Sequence, residues 1–78
     1  MRRVSAEGRT QNEIIYAHLK ANPKEGITPM EAFQYYGITR LGGRIFELRE
    51  RGIVIDTATE TKKVGGHARN YARYTLAS

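Results

Sequence analysis

Between Thr28 and Gly52 the chain carries two helix-start signals and two glycine stops, with only Gly37 and Ile38 between the first stop and the second start. So short a connection forces the two helices into a tight helix-turn-helix. The first start is Thr28-Pro29-Met30-Glu31, which reads as a capping box: threonine at the N-cap, proline at the first helical position, glutamate three after the cap. Ala32, Phe33 and Tyr36 share the apolar face of this helix, and Gly37 ends it after about two turns. Thr39 is a good N-cap for the next helix, which is expected to run to Arg51 and stop at Gly52. At about 100° per residue, Leu41, Ile45 and Leu48 fall in a narrow packing arc, and Arg40, Arg44, Glu47 and Arg51 form an adjacent, exposed stripe.

The flanking segments complete the plan. Residues 1–9 are polar and aperiodic and read as a flexible basic arm, so the folded domain is expected over 10–78. Ile14, Ile15, Leu19 and Ala21 recur at helical spacing on a first helix, with Glu13, Tyr16 and Lys20 opposite and Pro23 marking its end. After Gly52 the period becomes two: Ile53, Ile55 and Thr57 alternate with Val54, Asp56 and Ala58 as in a half-buried strand. Glu60 to Asn70 reads as a polar turn, and Tyr71 to Leu76 as a returning strand with Ala72, Tyr74 and Leu76 on one face. Three helices followed by a two-stranded hairpin is a mainly α winged helix-turn-helix. A helix about 10–12 Å wide fits a major groove about 12 Å wide, while the hairpin reaches neighbouring phosphates.

Charge supports an anionic partner and composition excludes other classes. Thirteen lysines and arginines stand against eight acids in 78 residues, a formal charge of +5. The absence of cysteine removes disulfides, thiolate metal sites and cysteine nucleophiles, and fits a reducing cytoplasm. No apolar run approaches the roughly 20 residues that span a bilayer, so a soluble protein with no membrane partner is expected. His18 lies on the apolar face of the first helix and reads as a hydrogen-bonded residue at the core's edge; with His67 far away, no metal is expected. No catalytic set stands out and the glycines lack a P-loop's lysine and hydroxyl, so neither an enzyme nor a cofactor is expected.

The candidate contacts to double-stranded DNA follow from placement. On the third helix, Arg40, Gly43, Arg44 and Glu47 would face bases, while Thr39 and Arg51 meet phosphates. In the hairpin, Lys62, Lys63, His67 and Arg69 join Arg73 in one basic run, with Lys62, Lys63 and Arg69 expected on phosphates. Arg2 and Arg3 of the arm are candidates for a minor groove. Arg40 and Arg44 are a like-charged i, i+4 pair that an anion would relieve. The competing reading is a solvated face on which Arg44 and Arg51 pair with Glu47. Thr39 serves as a cap, a phosphate ligand or both. Gly42 is expected to pack internally and Gly43 is left open, since each costs about 1 kcal/mol against alanine inside a helix. Arg49 is expected to bridge to a carboxylate such as Asp56. Phe46 covers the hairpin or meets a second subunit, Tyr71 being another homodimer candidate, and Tyr16 and Tyr35 are expected to be exposed.

The run ITPMEAFQYYGITRLGGRIFELRERGIVIDT with the closing YARYTL resembles the small helix-turn-helix proteins of bacteriophages and prophages. The resemblance covers roughly residues 10 to 76, through the threonine-proline helix start with Glu31 and Ala32, the Gly37-Ile38 turn, the Arg40-Leu41 and Arg44-Ile45 pairs, Leu48-Arg49, Gly52, Ile55 and Thr57. It implies a winged helix that binds DNA as a regulator or architectural factor in the cytoplasm of a bacterial host. The alternative from another class is a winged-helix module that binds an acidic host protein. RNA is a weaker third option, since no stacking platform of aromatic residues is evident.

Overall fold

A computed structural model describes residues 2–77; Met1 of the expected arm and Ser78 of the expected domain lie outside the described residues. Three helices, α1 (Gln11–Ala21), α2 (Pro29–Tyr36) and α3 (Leu41–Glu50), precede an antiparallel hairpin of β1 (Ile55–Val64) and β2 (His67–Leu76). The helices enclose one core: Ile14, Ile15 and Leu19 of α1, Ala32 of α2, Ile38 of the turn, and Leu41, Ile45 and Leu48 of α3. Ile27 and Ile55 close it from the strand side, with Tyr74 and Leu76 of β2 packed against it. Each such aliphatic side chain contributes about 1.5–3 kcal/mol when fully buried.

The first two helices begin alike. Thr28 Oγ1 accepts from the Glu31 amide at 3.2 Å, and the Glu31 carboxylate accepts from the Thr28 amide at 3.0 Å, completing the expected capping box. Thr10 and Glu13 make the same reciprocal pair at the start of α1, at 3.2 and 2.8 Å, the T-x-x-E pattern of a second capping box. Gly37 ends α2 at φ 67, its amide donating to the Phe33 carbonyl at 2.8 Å while Ile38 donates to Ala32 at 3.1 Å. Phe33, expected on the apolar face, is 59 % exposed; at eight residues α2 buries only a narrow line through Ala32.

The hairpin is longer and tighter than expected. In place of a polar turn from Glu60 to Asn70, two ten-residue strands pair without interruption from Ile55↔Leu76 to Val64↔His67, joined by Gly65 and Gly66 alone. Both glycines have positive φ, 57 and 82, the backbone of the two-residue turn whose twist matches paired strands. The distal half projects past the core, so neither of its faces is apolar and no period-two signal exists there. At the other end, Ile27 exchanges two 2.9 Å backbone bonds with Tyr74, adding a third strand fragment to the edge of β2.

The segment preceding α1 lies along the helical body. Arg2 and the Asn22 side chain exchange two 2.7 Å bonds, half-buried Val4 packs against the core, and the Val4 amide donates to the Tyr36 hydroxyl at 3.0 Å. His18, completely buried, ties this segment to both helices. Its Nε2 pairs with the Gly26 carbonyl at 3.1 Å, which fixes the proton there, and its Nδ1 then accepts from the Tyr36 hydroxyl. Burial pushes the His18 imidazole below its ordinary pKa, against the opposing pull of the Gly26 carbonyl and of Glu31 and Glu25.

Candidate nucleic-acid interface

The second helix of the helix-turn-helix starts with no side-chain cap. Its N-cap is Arg40, at φ −120, and not Thr39 as expected. Thr39 lies one residue outside the helix, exposed, and its hydroxyl makes no internal hydrogen bond among the described residues. Leu41 is the first helical residue, and its buried side chain joins that of Ile38 in the core. The amides of the first turn therefore point outward unsealed, at the positive end of the helix dipole.

Gly42 and Gly43 occupy that first turn, and both are exposed. A Cβ on either would meet nothing within 4 Å, so the internal packing expected for Gly42 does not exist. Nothing inside the molecule requires a glycine at these two positions.

The arginine stripe forms on one flank of the exposed side of α3. Arg40 and Arg51 are exposed and neither forms an ion pair within 4 Å among the described residues, although the Glu13 carboxyl, held below its ordinary pKa chiefly by its hydrogen bonds with Thr10, also feels the charge of Arg51. Arg44 is half-buried and pairs with Glu47 at 3.2 Å, as the solvated-face reading anticipated; its side chain remains 31 % exposed and that of Glu47 44 %. Such a pair contributes only about 0.2–0.5 kcal/mol and yields readily to a stronger ligand. Gly43 and Glu47 lie between this stripe and the outermost line of the helix.

Other arginines are committed to structure. Arg49 donates to the Ile55 carbonyl at 2.7 Å and to the Thr57 hydroxyl at 2.8 Å, pinning α3 to the first residues of β1 in place of the expected bridge to Asp56. Arg73, counted with the basic run of the wing, is held by Glu60 at 2.9 Å, by Glu31 at 3.5 Å and by the Glu25 carbonyl at 2.7 Å. Hydrogen bonding to Arg73 lowers the pKa of Glu60, and the same carboxylate raises that of Tyr71. Arg3 donates to the Tyr35 carbonyl at 2.8 Å and covers the Tyr35 ring at 5.3 Å, so its guanidinium is engaged on α2. Tyr35 and Tyr16 are half-buried, not exposed; Lys20 covers the Tyr16 ring at 4.4 Å.

The remaining wing cations are exposed, but alternation divides them between two faces. Lys62 and Arg69 are direct cross-strand partners, with His67 on the same face beside Val64. Lys63 is on the other face, the one that carries Ile55 and Thr57 nearer the core. Like charges placed opposite each other destabilise a strand pair by several tenths of a kcal/mol, so Lys62 and Arg69 are a pair that an anion would stabilise. Their face also borders a cleft of about 1060 Å³ against α2, whose apolar part is Met30, Phe33 and Val64, exposed at 63, 59 and 53 %.

Three helices with a tight turn before the third, followed by a basic two-stranded hairpin, define a winged helix-turn-helix domain. A protein-family model described as "Winged helix-turn-helix domain" matches residues 10–78, and the chain belongs to that family. No curated protein and no solved structure gives a significant match. Among the described residues no helix is long and apolar enough to cross a membrane, and no group of three or more metal-ligating side chains forms.

Proposed function

We propose that this domain binds double-stranded DNA, with α3 in the major groove and the hairpin against the flanking backbone. The observation that carries this reading is the open start of α3. Uncapped amides, two glycines that internal packing does not require, and Arg40 and Arg51, neither held in an ion pair among the described residues, all lie on the side of the helix turned away from the core. Arg44 is the candidate for bidentate recognition of guanine, with Glu47 available to a cytosine amino group once the pair exchanges partners. Thr39, Arg51, Lys62, Lys63 and Arg69 are the phosphate ligands, with His67 beside them; Arg2 and Arg3 reach a minor groove only if the segment before α1 leaves the body. The resemblance to phage and prophage proteins supports the narrower role of a regulator or architectural factor in a bacterial host's cytoplasm. One domain makes few base contacts, which favours a homodimer or a cooperative array.

Duplex binding measured against salt tests the reading. Affinity should fall with a log–log slope of about −0.9 per phosphate neutralised, and absence of duplex binding at low salt would refute it. The cleft beside α2 favours a second reading, a module that binds an acidic host protein through Met30, Phe33, Lys62 and Arg69. Met30→Ala and Phe33→Ala leave DNA binding intact under the first reading, and abolish a complex with the host protein under the second.

A further inference from the structure

Phe46 is the one large apolar side chain on the outer side of α3, and it is 62 % exposed. It neither covers the hairpin nor joins the core. A single exposed apolar side chain is ordinary on a protein surface; what singles this one out is its place beside the open first turn of α3. Its position is informative. Helical side chains lean toward the N-terminus, so the surface next to Phe46 belongs to residues three and four before it, which are Gly43 and Gly42. Apart from the adjoining residues and the helix's own backbone, nothing lies within 4 Å of where either Cβ would be, the Phe46 ring included. The ring therefore stands beside an empty notch, on the side of the helix away from the arginine stripe.

We infer that Phe46 and the notch formed by Gly42 and Gly43 are a thymine-methyl recognition site, a specificity element that rests on the DNA-binding reading and extends it. The glycines let the wall of the major groove approach α3 more closely than any side chain would allow. At that distance the ring meets the C5-methyl group, the only apolar feature that a base pair presents in the major groove. One arrangement then gives a use both to the exposed ring and to the two glycines that internal packing does not require. Arg44 reads hydrogen bonds on one flank of the helix, and Phe46 reads shape and apolarity on the other.

The test uses a duplex selected from random sequence for binding, resynthesised with each thymine in turn replaced by deoxyuridine. This removes one methyl group and leaves base pairing and charge unchanged. The wild-type chain should lose about fourfold in affinity at one or two thymines, the effect of exposing one buried methyl-sized group. Phe46→Ala should bind more weakly and treat thymine and uracil alike at those positions. Phe46→Leu, which keeps an apolar surface, should retain part of the difference. A wild-type chain indifferent to every replacement overturns the inference, as does a Phe46→Ala chain that still discriminates. A Phe46→Ala chain that dissociates from dimer to monomer yet keeps its thymine preference also overturns it, and assigns the ring to a contact between copies. Failure of any duplex to bind refutes the underlying reading as well, so the two failures are distinct.

Discussion

The starts of α2 and α3 lie close together in sequence and are built in opposite ways. At α2, threonine and glutamate satisfy each other's amides, proline removes one donor altogether, and Glu31 also reaches Arg73 across the base of the hairpin. At α3, an arginine stands at the cap without capping, two glycines follow, and the hydroxyl of Thr39 is unused. The contrast extends through the molecule. Around α1, α2 and the base of the hairpin, polar groups are paired internally: His18 with Tyr36 and Gly26, Arg73 with Glu60, Ile27 with Tyr74. Along α3 and the distal hairpin fewer are: Arg44 pairs with Glu47, Arg49 with Ile55 and Thr57, and Thr61 with Asn70, while the side chains of Thr39, Arg40, Lys62, Lys63 and Arg69 make no internal hydrogen bond among the described residues. Polar groups unsatisfied by the fold are available to a ligand, and this division implies that stability and binding can be altered separately.

The largest effect should come where the closed half is tightest. A Cβ on Gly26 would sit 1.8 Å from the Tyr74 carbonyl oxygen, at a φ of +60 that L side chains rarely adopt. Gly26→Ala should part Ile27 from β2 and cost about 3–5 kcal/mol in denaturant unfolding. In the open half, Arg44→Ala should cost about 1–3 kcal/mol of binding with relaxed sequence preference, and leave the melting temperature nearly unchanged. An Arg44→Ala chain that bound and discriminated like the wild type would break the comparison. Thr28→Ala should cost about 1 kcal/mol of stability with no effect on a duplex titration. Gly43→Ala should do the reverse, adding up to about 1 kcal/mol of stability while weakening binding, since the helix gains and the notch closes.

The smallest effect is pH-dependent. Neutral His18 has each ring nitrogen satisfied, and burial holds its folded pKa below the ordinary value of 6.5. The unfolded chain therefore takes up the proton first. This contribution to stability is complete above pH 6.5 and declines as pH falls toward the folded pKa, which melting curves between about pH 7 and 5 would record, above the range where most carboxylates titrate. Loss of stability in that window should be absent from a His18→Asn chain.

What could be read from the residues followed the range of the interactions. Capping boxes, glycine stops and the periodicity of α3 operate within a few residues, and through them the helix order, the hairpin and the outward arginine stripe were legible. Thr39 was misplaced by one residue because a good cap type says nothing about where Leu41 must sit to reach the core. The distal hairpin was hidden because strands solvated on both faces have no alternation, although Gly-Gly between them was a usable signal. The commitments of Arg49 and Arg73 and the bridge from Ile27 to Tyr74 depend on partners that only the fold brings near. The sequence suggests only the hairpin or a second subunit for Phe46, because the open space beside Gly42 and Gly43 depends on what the fold places there.

The bonds made by Arg2 and Val4 bear on where this domain should be cut. The family match opens at Thr10, yet a fragment begun there would deprive the Asn22 side chain and the Tyr36 hydroxyl of the partners that the Arg2 backbone and the Val4 amide supply. Trimming to the start of the family match would remove the Val4 amide from the Tyr36 hydroxyl that supports His18 and uncover the edge of the core that Val4 packs against, so a fragment begun at Thr10 should melt below one that keeps residues 2–9.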